Sequence, residues 1–299
     1  MTTLLNTGYQ LRLTNQNSWH ITSLSGTLDP WLSKAGTIME LEAAPANTTQ
    51  HQIICATDDH SADLRPQLKI LGNGSQEWAC HDMRTVKAWH CNGSDDTICT
   101  LDPPENEEAE IIAMWYLLYP VYQTGINGGG LPFHAALIEH NGRGVLLAAS
   151  GGTGKSTCSR RIPGHWNALC DDEVFVILDE KAHYHAHPFP TWSDYLWKRS
   201  EKTWNVQRSV PLHAVFFIYQ SEEDIAEPLG QGQAAVMMNE ASVQTWRKYL
   251  RKVDDEFKRA SHGNLFNNAC TMATTIPAYK LGVSLQGRFW EEIERVLGW

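Results

Sequence analysis

Long apolar runs are missing from this 299-residue chain. The longest, Ile111 to Tyr122, is interrupted by Pro120 and falls short of the roughly 20 apolar residues that span a bilayer. It reads as a buried helix. Positive charge is scarce: 24 lysines and arginines stand against 34 aspartates and glutamates, a formal charge of −10. That balance argues against nucleic acid or an anionic membrane as partner, since both select clustered basic side chains. The first residues lack a basic head followed by an apolar core, so no secretory signal is expected and the expected location is cytoplasmic. No internal repeat of useful length and no low-complexity tract is visible, which argues against a solenoid or array. The seven cysteines are odd in number and irregularly spaced, which favours reduced buried thiols over a disulfide framework. Cys80-His81 and His90-Cys91 are adjacent pairs, without the intervening residues that zinc-type pairs carry, and no metal is expected there.

What is present is a globular composition, 42% hydrophobic and 19% charged, with 12 tryptophans that imply large packed or stacking surfaces. The length suits one substantial domain with a smaller one. Residues 1–103 alternate short β-like runs (TGYQLRLTN, SWHITSL, HQIICATDD, QLKILGNG, TVKAWHC, DTICTLD) with Gly, Asn and Asp turns and show no long helical period. This predicts a small β-rich domain. The acidic, proline-bearing LDPPENEEAE then feeds a helix through its negatively charged first turn. Residues 104–299 mix strands with helices and predict an α/β domain.

From Leu131 the pattern is strand, turn, strand, loop, helix. PFHAALIE is a strand, His140-Asn141-Gly142-Arg143 carries the Asn-Gly hairpin signal, and GVLLAA is apolar enough to be a central strand. The helix that begins near Lys155 must stop by Pro163-Gly164. EVFVIL, AHYHAH, PLHAVFFIY and AYKLGVS are further strands, with helices over about 234–258 and in GRFWEEIERVL.

Between GVLLAA and that helix lies Ala149-Ser150-Gly151-Gly152-Thr153-Gly154-Lys155-Ser156, a phosphate-loop pattern with alanine in place of its first glycine. Glycines let the backbone turn its N–H groups toward phosphate oxygens, and the start of the helix adds partial positive charge. On this reading Ser150, Gly151, Gly152, Thr153, Gly154, Lys155, Ser156 and Thr157 cradle ATP. Lys155 bridges the outer phosphates, and the Ser156 hydroxyl binds Mg2+. The alternative is a glycine-rich turn with an incidental lysine. Downstream, Asp171 and Asp172 sit where an apolar run meets a strand, a costly place for carboxylates unless they face a cation or donors. A solvated turn is their alternative role. His134, in the strand before the loop strand, lies close enough in pattern to reach the phosphates, or simply packs.

These elements, FHAALIEHNGRGVLLAASGGTGKS followed by GHWNALCDDEVFV, resemble the HPr kinase/phosphorylase family of bacterial serine kinases. In that family a histidine precedes a hairpin, the second strand runs into the phosphate loop, and a Gly-His pair leads to paired aspartates. Here these are His134, the loop ending in Lys155-Ser156, Gly164-His165, and Asp171-Asp172. The specific motifs cover residues 131 to about 178, the likeness continues loosely to the end, and residues 1 to about 100 lie outside it. The resemblance implies an HPr-kinase/PEP-carboxykinase-like phosphate-loop domain with a mixed sheet. It also implies catalysis by Asp172 as base with His134 and Lys155 at the centre, and Ser156 and Asp171 as metal ligands. ATP and Mg2+ are the implied cofactors, and serine of a peptide or small protein is the implied acceptor. A homo-oligomer is left open.

The family's later Glu-Ile-Arg-Gly stretch, whose glutamate is a second metal ligand, is absent, which puts the reverse reaction in doubt. In its place His187-Pro188-Phe189-Pro190-Thr191-Trp192-Ser193-Asp194 resembles a segment of smaller HPr-kinase-like proteins of peptide-modification cassettes, the SynChlorMet cassette protein among them. Asp194 or Arg199 could replace the missing site residues, with a solvated loop as the favoured role of each. Trp192, Trp197, Trp204 and Trp246 could form an adenine-stacking wall or a peptide groove, with core packing favoured. His183, His185 and His187 alternate along a strand face with no carboxylate tied to them in sequence. Competing functions are a non-catalytic ATP-binding regulatory or assembly protein, a small-molecule kinase and a phosphoenolpyruvate-carboxykinase-like activity.

Overall fold

The computed structural model describes residues 8–45, 51–57, 78–91 and 96–299, in which the chain is mixed α/β with two sheets. The run QLKILGNG, expected as a strand, lies outside the described residues. Chain contacts divide the molecule into one unit of residues 1–124, 192–207 and 248–257 and a second of residues 125–191, 208–247 and 258–299.

The first unit carries β1 (Gly8–Arg12), β2 (Ser18–Ser23), β3 (Glu42–Ala44), β4 (His51–Ala56), β5 (Trp78–Asp82), β6 (Lys87–Cys91) and β7 (Thr97–Thr100) in the order β3-β1-β2-β4-β7-β6-β5. The sheet is mixed, because β4 runs parallel to both β2 and β7. A helix, α1 (Asp29–Ile38), stands where the sequence suggested none. Pro30 suits its first turn, since the missing N–H has no intrahelical partner there anyway. Gly36 obscures it in sequence as a poor helix former. A Cβ on Gly36 would come 2.6 Å from Tyr9, so glycine lets the helix approach β1 closely.

The apolar stretch from Ile111 is split into α2 (Glu107–Leu117) and α3 (Tyr119–Asn127). The Asn106 side chain caps α2 by accepting from Ala109 N at 2.9 Å, with Glu107, Glu108 and Glu110 in the first turn. The boundary expected at 103 is thus displaced: residues to 124 and two later segments belong to the first unit. Residues 192–207 are tied in where Trp204 N donates to Ile38 O at 2.8 Å and Thr203 Oγ1 to Glu40 Oε1 at 2.6 Å, and for residues 248–257 the physical reason is side-chain packing. His81 Nε2 donates to Tyr249 O at 2.6 Å, its ring stacks on Tyr119 at 4.2 Å, and Lys248 Nζ sits 3.9 Å from the Trp115 ring centre.

The second unit holds β8 (Leu131–His140), β9 (Arg143–Ala148), α4 (Lys155–Arg161), β10 (Asn167–Cys170), β11 (Glu173–Leu178) and β12 (Tyr184–Phe189). After a short α5 (Trp192–Leu196), counted with the first unit, come β13 (Val210–Gln220), β14 (Ile225–Pro228) and α6 (Gln231–Trp246). The chain ends with α7 (Asp255–Ala273), β15 (Ala278–Val283) and α8 (Phe289–Leu297). The helical region expected over 234–258 is therefore two helices and runs on to residue 273.

The β8–β9 hairpin turns at Asn141 (φ 50°) and Gly142 (φ 77°), the left-handed pair that the Asn-Gly signal calls for. Strand β9 lies between antiparallel β8 and parallel β13, which explains its wholly apolar run. Because β12 also pairs with the start of β13, strands β8, β11, β12, β13 and β9 hydrogen-bond in a closed circuit. On one face Ala136, Ile138, Val145, Leu147 and Phe216 form a core with Cys158 of α4 and Phe289 and Ile293 of α8. The alternate residues Ala135, Leu137, Leu146, Ala148 and Val215 are buried as well, and α6 packs along β8.

Candidate active site

Strand register brings the separated sequence motifs together. Ala135 pairs with Ala148 at the end of β9, so the next step along β8 sets His134 beside Ala149, where the glycine-rich loop begins. On the other edge of β8, His134 pairs with Glu173, and Ala135 N donates to Asp172 O at 3.0 Å. The histidine strand therefore runs between the loop and the paired aspartates.

The loop closes through Thr153, whose N–H and hydroxyl both donate to Ser150 O, at 3.4 and 2.9 Å. Gly152 (φ 79°) and Gly154 (φ 118°) adopt left-handed backbone, which glycine takes without a Cβ penalty. A Cβ built on Gly151, Gly152 or Gly154 meets nothing within 4 Å, so this side of the loop is open. Ser150, Gly151, Gly152 and Thr157 are exposed, Thr153, Gly154 and Ser156 are half-buried, and Lys155 and Ser156 open helix α4.

Lys155 is buried, with Nζ 2.9 Å from Ala149 O, 3.3 Å from Ser150 O and 2.9 Å from His134 Nε2. On the far side of the ring, His134 Nδ1 is 3.0 Å from Asp172 Oδ1. An ammonium can only donate, so His134 Nε2 is an acceptor and its proton sits on Nδ1, facing Asp172. Lysine, imidazole and carboxylate thus form one polarised chain. Burial pushes the Lys155 ammonium below the usual lysine value, while Asp172 and then Asp171 draw it back up.

Asp171 accepts a 2.6 Å hydrogen bond from Thr191 Oγ1, a buried residue that local sequence pattern did not single out. The signal for it was register. Glu173 pairs with Phe189, and two further steps outward along both antiparallel strands reach Asp171 and Thr191. All the expected site residues, His134, Ser150 to Thr157, Asp171 and Asp172, fall in the second unit.

Two clefts flank the loop toward β13 and β15. One of about 600 Å3 is lined by Ala149, Ser150, Thr153, Tyr219, Glu240 and Lys280. The other, of about 430 Å3, is lined by Thr153, Thr157, Arg161, Ser221 and Ser284. Away from the loop, Trp192, Trp204 and Trp246 are buried as expected, but Trp197 is 61% exposed, beneath the guanidinium of Arg199. His183 and His185 do have a carboxylate: Asp179 Oδ2 lies 3.6 and 3.4 Å from them, while His187 is wholly buried.

The sequence model of the SynChlorMet cassette protein ScmC family matches residues 97–298, more than half of the chain. The chain belongs to that family. The ScmC match spans the whole of the glycine-rich loop, His134 and both aspartates, and leaves out the strands before β7. No curated protein matches the chain. Among the described residues no helix is long and apolar enough to cross a membrane.

Proposed function

We propose that this ScmC-family chain is an HPr-kinase-like phosphotransferase that moves the γ-phosphate of ATP, with Mg2+, to a hydroxyl, serine of a peptide or small protein. The observation that carries the proposal is the chain Lys155–His134–Asp172 set directly against an open, glycine-turned loop. A lone glycine-rich loop supports phosphate binding only. The adjoining carboxylate is what a hydroxyl nucleophile needs.

The residues fit magnesium: the Thr191 bond uses Asp171 Oδ1 and leaves Oδ2, and Ser156 offers its hydroxyl from the first turn of α4. Bound there, Mg2+ would neutralise phosphate charge and hold the transferring group in orientation. Lys155 is now held by two neutral carbonyls and an imidazole. Anionic phosphate oxygens compete well for the same donor, because charge-assisted bonds are stronger. His134, with its tautomer fixed by Lys155, donates its Nδ1–H to Asp172 Oδ1 and so fixes the carboxylate's direction. Asp172 takes the acceptor's proton as the new O–P bond forms and the bond from the γ-phosphorus to the bridging oxygen breaks. The cassette in the family's name fits an acceptor made by a neighbouring component of that cassette.

Calorimetry with Mg·ATP tests the reading at its base. Wild-type protein binds nucleotide and Lys155→Ala binds it at least tenfold more weakly; undiminished affinity in that variant contradicts the role given to the loop.

A further inference from the structure

Among the described residues, one group of three metal-ligand side chains converges outside the site described above: His140, His165 and Glu294, with one ligand atom from each lying within 4.8 Å of the others. Three separate elements supply them. His140 ends β8, His165 stands in the turn before β10, and Glu294 lies in α8. His140 lies six residues beyond His134 along β8, roughly 20 Å away at about 3.3 Å per strand residue, so this cluster is independent of the phosphate loop.

We infer that His140, His165 and Glu294 form a binding site for a zinc-class divalent transition-metal ion. The donor set is two imidazoles and a carboxylate, which suits zinc and its neighbours, whereas magnesium prefers oxygen alone. The surroundings prepare these atoms for a metal. His140 Nδ1 is 3.2 Å from His165 O, so it donates there and leaves the lone pair on Nε2, where the Asn141 amide now donates at 2.9 Å. His165 Nε2 lies 2.8 Å from Glu294 Oε1, and Trp166 Nε1 donates to the same oxygen at 2.9 Å, which fixes the carboxylate from behind. Ligand atoms around tetrahedral zinc stand about 3.3 Å apart, so an ion that replaces the His165 proton opens the His165–Glu294 pair from 2.8 Å by about half an ångström and draws the group, now within 4.8 Å, together by up to about 1.5 Å. The His140 ring stacks on Trp299 at 5.5 Å and lies 4.9 Å from Trp166, so aromatic faces hold its plane. Three protein ligands leave a fourth position for water. With half of the His165 side chain in solvent, an ion enters without opening the core. The bound ion ties the end of the β8–β9 hairpin and the turn before β10 to α8.

The test is a titration of the metal-free full-length chain with ZnCl2 by calorimetry and with CoCl2 by visible absorption, repeated in His165→Ala and Glu294→Gln. His165 is exposed, and Glu294 is partly buried with Oε1 accepting from Trp166 Nε1, a bond that the glutamine oxygen keeps; far-UV circular dichroism checks that both variants fold. The expected result is one equivalent of zinc, a cobalt spectrum of four-coordinate type, and affinity at least tenfold lower in each variant, with excess Mg2+ not competing. Zinc also raises the wild-type melting temperature and has a smaller effect on the variants. No binding by the wild type overturns the inference, as does binding that both variants retain unchanged, because the ion then sits elsewhere.

Discussion

The Nε2 atom of His134 lies 2.9 Å from the ammonium of Lys155, with Asp172 3.0 Å from the other ring nitrogen. A histidine so placed cannot turn without disturbing both neighbours. His134→Ala is expected to keep nucleotide binding within a few-fold and to lower phosphate transfer by roughly 10²–10⁴, the usual worth of a positioned acid–base group. Calorimetry and a transfer assay on the same preparation separate the two; equal losses in both would make His134 a packing residue.

The glycines of the loop divide by backbone angle. Gly154→Ala forces an L-residue to φ near 118° and should cost roughly 1–3 kcal/mol of stability. Gly151 has no such angle and its Cβ would meet open space. Gly151→Ala should therefore leave stability within about 0.5 kcal/mol while weakening Mg·ATP binding at least tenfold. Denaturant melts beside calorimetry measure both, and a Gly151→Ala protein that binds nucleotide normally would remove phosphates from that side of the loop.

Lys155 must be charged to hold phosphate. Burial sets its folded value below the ordinary 10.5, so the ammonium begins to deprotonate earlier than a surface lysine as pH rises. Nucleotide affinity is expected to fall on the alkaline side with an apparent pKa below 10.5, and Lys155→Arg should remove that limb, because guanidinium stays charged. An affinity flat with pH in the wild type would contradict this.

Burial lowers the pKa of His81, so in the folded chain it stays neutral below the ordinary histidine value of 6.5. The unfolded chain then takes up the proton first. Stability from this group is complete above 6.5 and is lost as pH falls through it toward the folded value, and His90 acts in the same direction. Thermal melts from about pH 7.5 to about 5 should show a declining midpoint with a shallower slope in His81→Gln. Parallel slopes in the two proteins would show that His81 has no part in it.

Much of the second unit was legible because its signals are local. The Asn-Gly turn, the apolar β9, the glycine loop and the proline that ends α4 each dictate structure within a few residues. Pairing of the loop with His134 and Asp172 followed from order along the chain. What escaped sequence reading depends on distant partners. Helix α1 is disguised by Gly36, whose purpose is contact with Tyr9. The role of Thr191 appears only when β11 and β12 are set in register. Residues 248–257 join the first unit through His81, Trp115, Tyr249 and Lys248, and residues 192–207 through Trp204 N donating to Ile38 O, and none of these advertises its partner.

The central claim is phosphate transfer with Asp172 as base, and the most direct measurement uses γ-labelled ATP. The full chain is incubated with labelled ATP, Mg2+ and the proteins and peptides of its source cell, beside Asp172→Asn, and phosphorylated residues are found by mass spectrometry. The account predicts label on a serine hydroxyl with wild type and a loss of roughly 10³ or more in rate with Asp172→Asn, while Mg·ATP still binds. Label transferred equally by both proteins, or by neither while both bind nucleotide, would contradict it.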